Sequence, residues 1–114
     1  MSPTVEDRYR DIVEAIEDIE ALWQGKTLAD FSADRIRRLA TERLLEILCE
    51  ATRRLPDSAK LSAPEIEWRR IIDFGNVLRH AYHMTQTERV WVIIEMHLPP
   101  LKAFALHKLS ESEA

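Results

Sequence analysis

The sequence predicts an all-α protein, an antiparallel four-helix bundle, on three observations. Only two glycines interrupt 114 residues. Apolar residues recur at three and four rather than at two, the spacing of a helix face and not of a strand. Cap and stop residues divide the chain into four helical segments.

The first segment opens at Ser2-Pro3, read as a cap followed by proline at the first helical position. Val5, Tyr9, Ile12, Val13, Ile16, Ile19, Leu22 and Trp23 make one stripe along it. Gly25-Lys26-Thr27 ends it, because glycine most readily takes the left-handed terminating conformation. The second segment begins near Ser32, carries Ile36, Leu39, Ala40, Leu44, Ile47, Leu48, Ala51 and Leu55, and stops at Pro56-Asp57-Ser58. Ser62-Ala63-Pro64-Glu65 has the pattern of a capping box and opens the third, whose apolar residues are Trp68, Ile71, Ile72, Phe74 and Leu78. A second such pattern, Thr85-Gln86-Thr87-Glu88, opens the last, with Val90, Trp91, Ile94, Leu98, Leu101, Phe104 and Leu109. Pro99-Pro100 lies inside it and predicts a kink or a break into two shorter helices. The tail from Ser110 to Ala114 is polar and reads as frayed. Residues 1–114 read as a single domain, large enough for one core and too short for two.

Composition narrows the function. Hydrophobic residues at 46% and charged residues at 32% fit a globular chain rather than a disordered one. No apolar run approaches the ~18–20 residues that a membrane-spanning helix needs. The N-terminus lacks the pattern of a signal peptide, and a lone Cys49 cannot form an internal disulfide, so a cytoplasmic location is expected. A net charge of −4 argues against a protein that coats nucleic acid, and leaves local clusters such as Arg35 to Arg38, Arg53-Arg54, and Arg69-Arg70 with Arg79. Without a fold, each cluster reads first as a solvated helix face.

Phosphate-binding loops, nucleophile elbows and zinc-type cysteine pairs are absent, and no histidine follows glutamate at the spacing of a di-iron bundle. His80 and His83 lie three apart without a third ligand, so no metal and no cofactor is expected. The third segment holds the remaining candidates. At roughly 100° per residue, Arg69, Asp73, Asn76 and His80 share one polar stripe, and Ile71, Phe74 and Leu78 face the other way. A histidine beside arginines can take and give protons near neutral pH. Spacing alone does not separate an active face from an exposed helix end.

The run from Ile66 to Tyr82 resembles the signature region of the HepT-like ribonucleases of the HEPN superfamily. That signature is an arginine, a polar residue, three more residues, a histidine, any residue and a tyrosine. Val90-Trp91 and Leu98 to Leu101 are similar to the family's last helix, and Arg43 to Ala51 to its second. The resemblance implies a toxin of the HepT/MNT toxin–antitoxin type, a metal-independent endoribonuclease acting as a homodimer whose motifs meet at a shared cleft. Its antitoxin would be a small MNT-type nucleotidyltransferase that transfers AMP to the motif tyrosine, here Tyr82. On that resemblance His80 is the general acid or base for attack of a ribose 2′-hydroxyl on its phosphate. Asn76 orients the imidazole or the phosphate, and Arg69 and Arg79 are candidate contacts to the RNA backbone.

One position departs from the signature. The arginine belongs five residues before His80, where this chain has Gly75. The loss removes a phosphate-binding cation and costs about 1 kcal/mol of helix stability relative to alanine. Three readings compete, in this order: an inactivating substitution, a naturally degenerate nuclease kept as a binding partner, and relocation of the cation, with Arg79 one turn away. All leave nuclease activity of this chain weakened or in question. The alternative function is a non-catalytic partner or regulatory subunit of a small nucleotidyltransferase.

Overall fold

The computed structural model describes residues 3–80 and 87–113, with only the backbone of Arg79 and His80. Among them the elements are all helical: α1 (Val5–Trp23), α2 (Leu28–Ala33), α3 (Arg35–Arg53), α4 (Asp57–Leu61), α5 (Trp68–His80), α6 (Thr87–Val92), a π-helical turn (Ile93–His97) and α7 (Leu98–Glu113). The expected all-α bundle is present, with α6, the π turn and α7 together forming its fourth member.

Helix α1 begins later than the proline suggested. Thr4 is its cap: the Thr4 hydroxyl accepts from the Asp7 amide, and the Asp7 carboxylate accepts from the Thr4 amide. Hydrogen bonding from the Thr4 amide, and then from the Thr4 side chain, holds the Asp7 carboxyl below its ordinary range. At the other end Gly25 has φ 73°, the left-handed turn expected of it. Thr27 and Asp30 repeat the capping box and start the short α2. Its Phe31 packs its ring 4.7 Å from that of Trp23 and 5.3 Å from that of Trp91. Asp34 then caps α3 by accepting from the Arg37 amide, so the second long helix starts after Ser32, behind a separate turn of helix.

Pro56 ends the irregular link after α3, but α4 starts directly behind it, and the expected stop is a one-turn restart. The Ser62–Glu65 capping box does not form. The Ser62 hydroxyl donates back to the Ala59 carbonyl instead, and α5 begins at Trp68. Ala63 and Ile66 are buried beneath this connection, and the Trp68 indole donates to the Ala63 carbonyl at 2.9 Å. Burial of the connection thus outweighs the local cap signal. The other capping box, Thr85 to Glu88, lies partly outside the described residues.

Pro99 and Pro100 sit inside the first turn of α7 without breaking it. Neither supplies an N–H, and each ring would crowd a carbonyl four residues back. The turn before them widens, and the Leu98 amide donates to the Ile93 carbonyl, five residues away. The helix is thus not split at the prolines; its regular pattern is interrupted just before them, by this π turn.

Neighbouring long helices run antiparallel. The C-terminal turn of α1 meets the start of α3, where the Trp23 indole donates to the Thr41 hydroxyl at 2.7 Å and an Arg37 guanidinium donates to the Leu22 carbonyl. Helix α7 lies on the other flank of α1, with Lys102 at 2.7 Å from Glu20 and Phe104 edge-on to Tyr9. Trp68 at the start of α5 packs edge-on against Phe104, which closes the ring of helices. The centre is filled by Ile12, Ile16, Ile19, Leu45, Leu48 and Leu101, all with essentially no exposure. Thr41 and Thr52 are buried among them, each with its hydroxyl donating to the carbonyl one turn back, so neither leaves an unsatisfied donor. No helix of the described residues is long and apolar enough to cross a membrane.

Candidate active site

Helix α5 carries the signature segment, and its two faces separate as the spacing requires. Ile71 and Phe74 are buried, whereas Arg69, Asp73 and Asn76 are exposed along one side. His80 closes the helix one turn after Asn76. The side chains of Arg79 and His80, and all of Tyr82 and His83, lie outside the described residues. The structure therefore brings Arg69, Asp73 and Asn76 onto one accessible face leading to the His80 backbone.

Gly75 lies on a different side of α5, buried against α3. A β-carbon placed there would stand 2.9 Å from the Cys49 β-carbon, closer than real β-carbons approach, and 3.7 Å from the Cys49 sulfur. The Cys49 thiol donates to the Ile71 carbonyl at 3.1 Å, on the same contact. The glycine thus has a packing reason: it lets the backbone of α5 settle directly on α3. The side chain of Arg79, the candidate for a relocated cation, lies outside the described residues. Any side chain at 75 requires a shift at this contact with Cys49.

Beside the exposed face runs a groove of about 660 Å³ between α5 and the α6–π-turn segment. Among the described residues, Arg69 and Arg70 from α5 and Arg89 from α6 line it, together with His97 from the π turn. Phe74, Val77, Val92 and Ile93 supply apolar surface, and Glu67, Asp73 and Glu88 stand among the cations. Among the described residues no ion pair or hydrogen bond engages the three guanidinium groups. The imidazole of His97 is half-buried, and that burial pushes its pKa below the ordinary value; Arg70 adds to the effect and Glu67 opposes it. The shift favours the neutral imidazole, in which one ring nitrogen donates and the other accepts.

Arg70, Arg89 and His97 were not among the sequence-derived candidates beyond the Arg69-Arg70 cluster. The available signal was weak: Arg89, Ile93 and His97 recur at four, which puts arginine and histidine on one side of a single helix. Their meeting with Arg70 depends on the packing of α5 against the π turn, which no local pattern reveals.

The family model for HepT-like ribonucleases matches residues 12–107, most of α1 through most of α7. The chain belongs to the HepT-like ribonuclease family. A relative from Thermococcus cleftensis, named "Probable ribonuclease HepT", is 34% identical over 102 residues, covering 90% of this chain and 93% of its own length. A second, from Methanocaldococcus jannaschii and named "Putative RNase", is 26% identical over 92 residues, covering 81% of this chain and 84% of its own. No solved structure matches the chain. The matched span contains Gly75, Asn76, His80 and Tyr82 as well as the groove.

Proposed function

We propose that this protein is the toxin subunit of a HepT/MNT-type toxin–antitoxin pair, an RNA-cleaving homodimer of single-domain chains acting in the cytoplasm. The observation that carries the reading is family membership over nearly the whole chain, joined to an α5 that presents Asn76 on an accessible face one turn before His80.

The reaction needs no metal. The His80 imidazole removes the proton of a ribose 2′-hydroxyl, and the oxygen attacks the adjacent phosphorus. The P–O5′ bond breaks as the 2′,3′-cyclic phosphate forms, and the departing 5′-oxygen takes a proton from an imidazolium or from water. Asn76 orients the imidazole or the phosphate, and Arg69 and Arg79 contact the RNA backbone. Gly75 supplies no cation for the developing charge, which leaves the activity weak; a single lost donor of this kind typically costs about 10²–10³ in rate. Neutralisation follows when an MNT-type nucleotidyltransferase joins the Tyr82 oxygen to the α-phosphate of ATP and releases pyrophosphate. The added adenylyl group brings bulk and a negative charge to the end of α5, where RNA must approach.

The test is cleavage of single-stranded RNA in excess chelator by the wild type and by His80→Ala. Slow cleavage with cyclic phosphate ends, lost in His80→Ala, is expected; cleavage indifferent to His80, or none at high enzyme concentration, overturns the catalytic reading. One observation favours a second reading, the non-catalytic partner of a nucleotidyltransferase: Gly75 is fitted to Cys49, as suits a chain built without the motif arginine. In that case incubation with the nucleotidyltransferase and ATP adds one or more AMP masses to Tyr82 while RNA stays intact. Neither complex nor added mass removes this reading.

A further inference from the structure

We infer that the groove between α5 and the π turn is a phosphate-and-base subsite for single-stranded RNA, in which Arg70, Arg89 and His97 hold the strand next to the scissile position. The choice of ligand rests on the RNA-cleaving reading above.

Four features of the groove point the same way. Its volume of about 660 Å³ lies within the ~300–1,000 Å³ usual for small-ligand sites. Arg70 and Arg89 are exposed and line the groove from α5 and α6, and among the described residues neither is paired with a carboxylate. Two unengaged guanidiniums facing one space suit a phosphodiester, whose oxygens each accept a charge-assisted bond. Apolar surface from Phe74, Val77 and Val92 lies between them, a place for a base to rest. His97 borders the same space with a donor and an acceptor, which matches a phosphate oxygen and a ribose hydroxyl. The groove is also continuous with the exposed side of α5, since Asp73 and Val77 line it and His80 follows Val77 by three residues.

Among the described residues Glu67, Asp73 and Glu88 offset the arginines that line the groove, so affinity is modest and removal of an acid should raise it. That gives the test two directions. The probe is a short fluorescein-labelled oligoribonucleotide with 2′-O-methyl riboses, so that binding is read by anisotropy without cleavage. Arg70→Gln and Arg89→Gln should each weaken binding roughly three- to tenfold, and lower the slope of log Kd against log salt by about 0.7 per lost phosphate contact. Asp73→Asn and Glu88→Gln should tighten it about two- to threefold. Arg43→Gln, on α3 and already paired with Glu46, is the control and should change nothing. All of these side chains are at the surface or half-exposed, and circular dichroism checks that each variant folds.

The inference is overturned if the wild type does not bind the probe. Equal affinity of both groove arginine variants and the wild type overturns it too, as does an equal loss in Arg43→Gln. Light scattering gives a further outcome: a lower molecular mass for Arg70→Gln or Arg89→Gln at unchanged RNA affinity would show a second copy in the groove. Cleavage of all-ribose RNA by the wild type and His80→Ala separates the two proposals. His80-dependent cleavage with groove-independent binding sinks the subsite alone; groove-dependent binding without cleavage sinks the nuclease alone.

Discussion

Helix α3 makes two contacts of different kinds. Toward α1 it presents Thr41, Leu45, Leu48 and Thr52, at heptad-like spacing, and the seam is filled by large side chains and one buried indole hydrogen bond. Toward α5 it presents Cys49 to a glycine, and the seam is backbone on side-chain stub. The first is held apart by volume, and the second is held together by the lack of it. A seam of large side chains fails by losing atoms, whereas a glycine seam fails by gaining them.

The largest expected effect is Leu48→Ala. It leaves a cavity in the α1–α3 seam and should cost about 2–5 kcal/mol in chemical denaturation. Gly75→Ala reverses the sense of the change by adding one methyl group. It should destabilise by about 1–3 kcal/mol despite alanine's better helix propensity, and Gly75→Arg by at least as much. Combined with Cys49→Gly, the Gly75→Ala penalty should shrink, read as a non-zero coupling energy in a double-mutant cycle. Gly75→Ala melting above the wild type would mean that the two helices separate freely, and the contrast between the seams would collapse.

A medium effect is expected of Thr41→Val. It removes the acceptor of the Trp23 indole and leaves that N–H buried, at a cost of about 1–3 kcal/mol. Thr41→Ser keeps the hydroxyl and should recover most of this. Equal losses in Val and Ser would assign the seam's stability to the methyl group instead of the hydrogen bond.

The smallest effect lies on the outer edge of α3. Hydrogen bonds from Arg53 and Arg54 hold the Glu50 carboxyl at about 2, against an ordinary value of 4.5. A lowered folded-state pKa stabilises above the unfolded value and is lost as the pH falls through the folded one. The contribution should be full above pH 4.5 and fade toward pH 2. Because the group is exposed to solvent, it should amount to less than about 1 kcal/mol. Glu50→Gln should therefore lower Tm slightly at pH 7 and not at pH 2. A difference that persists at pH 2 would point to packing.

The sequence disclosed the frame well and its joints poorly. The stripes of α1 and α3, the left-handed Gly25 and the two faces of α5 follow from periodicity that any helix of those residues must obey. Caps were misplaced where two signals competed. Ser2-Pro3 preceded the stronger Thr4–Asp7 pair, and Ser62 to Glu65 lay over a buried connection that prevailed. The one-turn helices α2 and α4 are too short to show a period. Gly75 was recognisable as a departure, but whether it faced solvent or a neighbour depended on where α3 lay. The groove was illegible for the same reason: Arg70 and Arg89 come from elements whose adjacency is a tertiary fact.

The π turn has a further consequence. At roughly 100° per residue, the buried face of Val90 and Ile93 and that of Leu98, Leu101 and Ala105 would diverge by about a quarter turn on one ideal helix. A widened turn absorbs about one residue, and that is the rotation needed to bring both faces to the core. The chain thus accommodates one residue more than an unbroken helix could use, as an insertion that has been made silent. A relative without the proline pair could omit that residue and present the same faces.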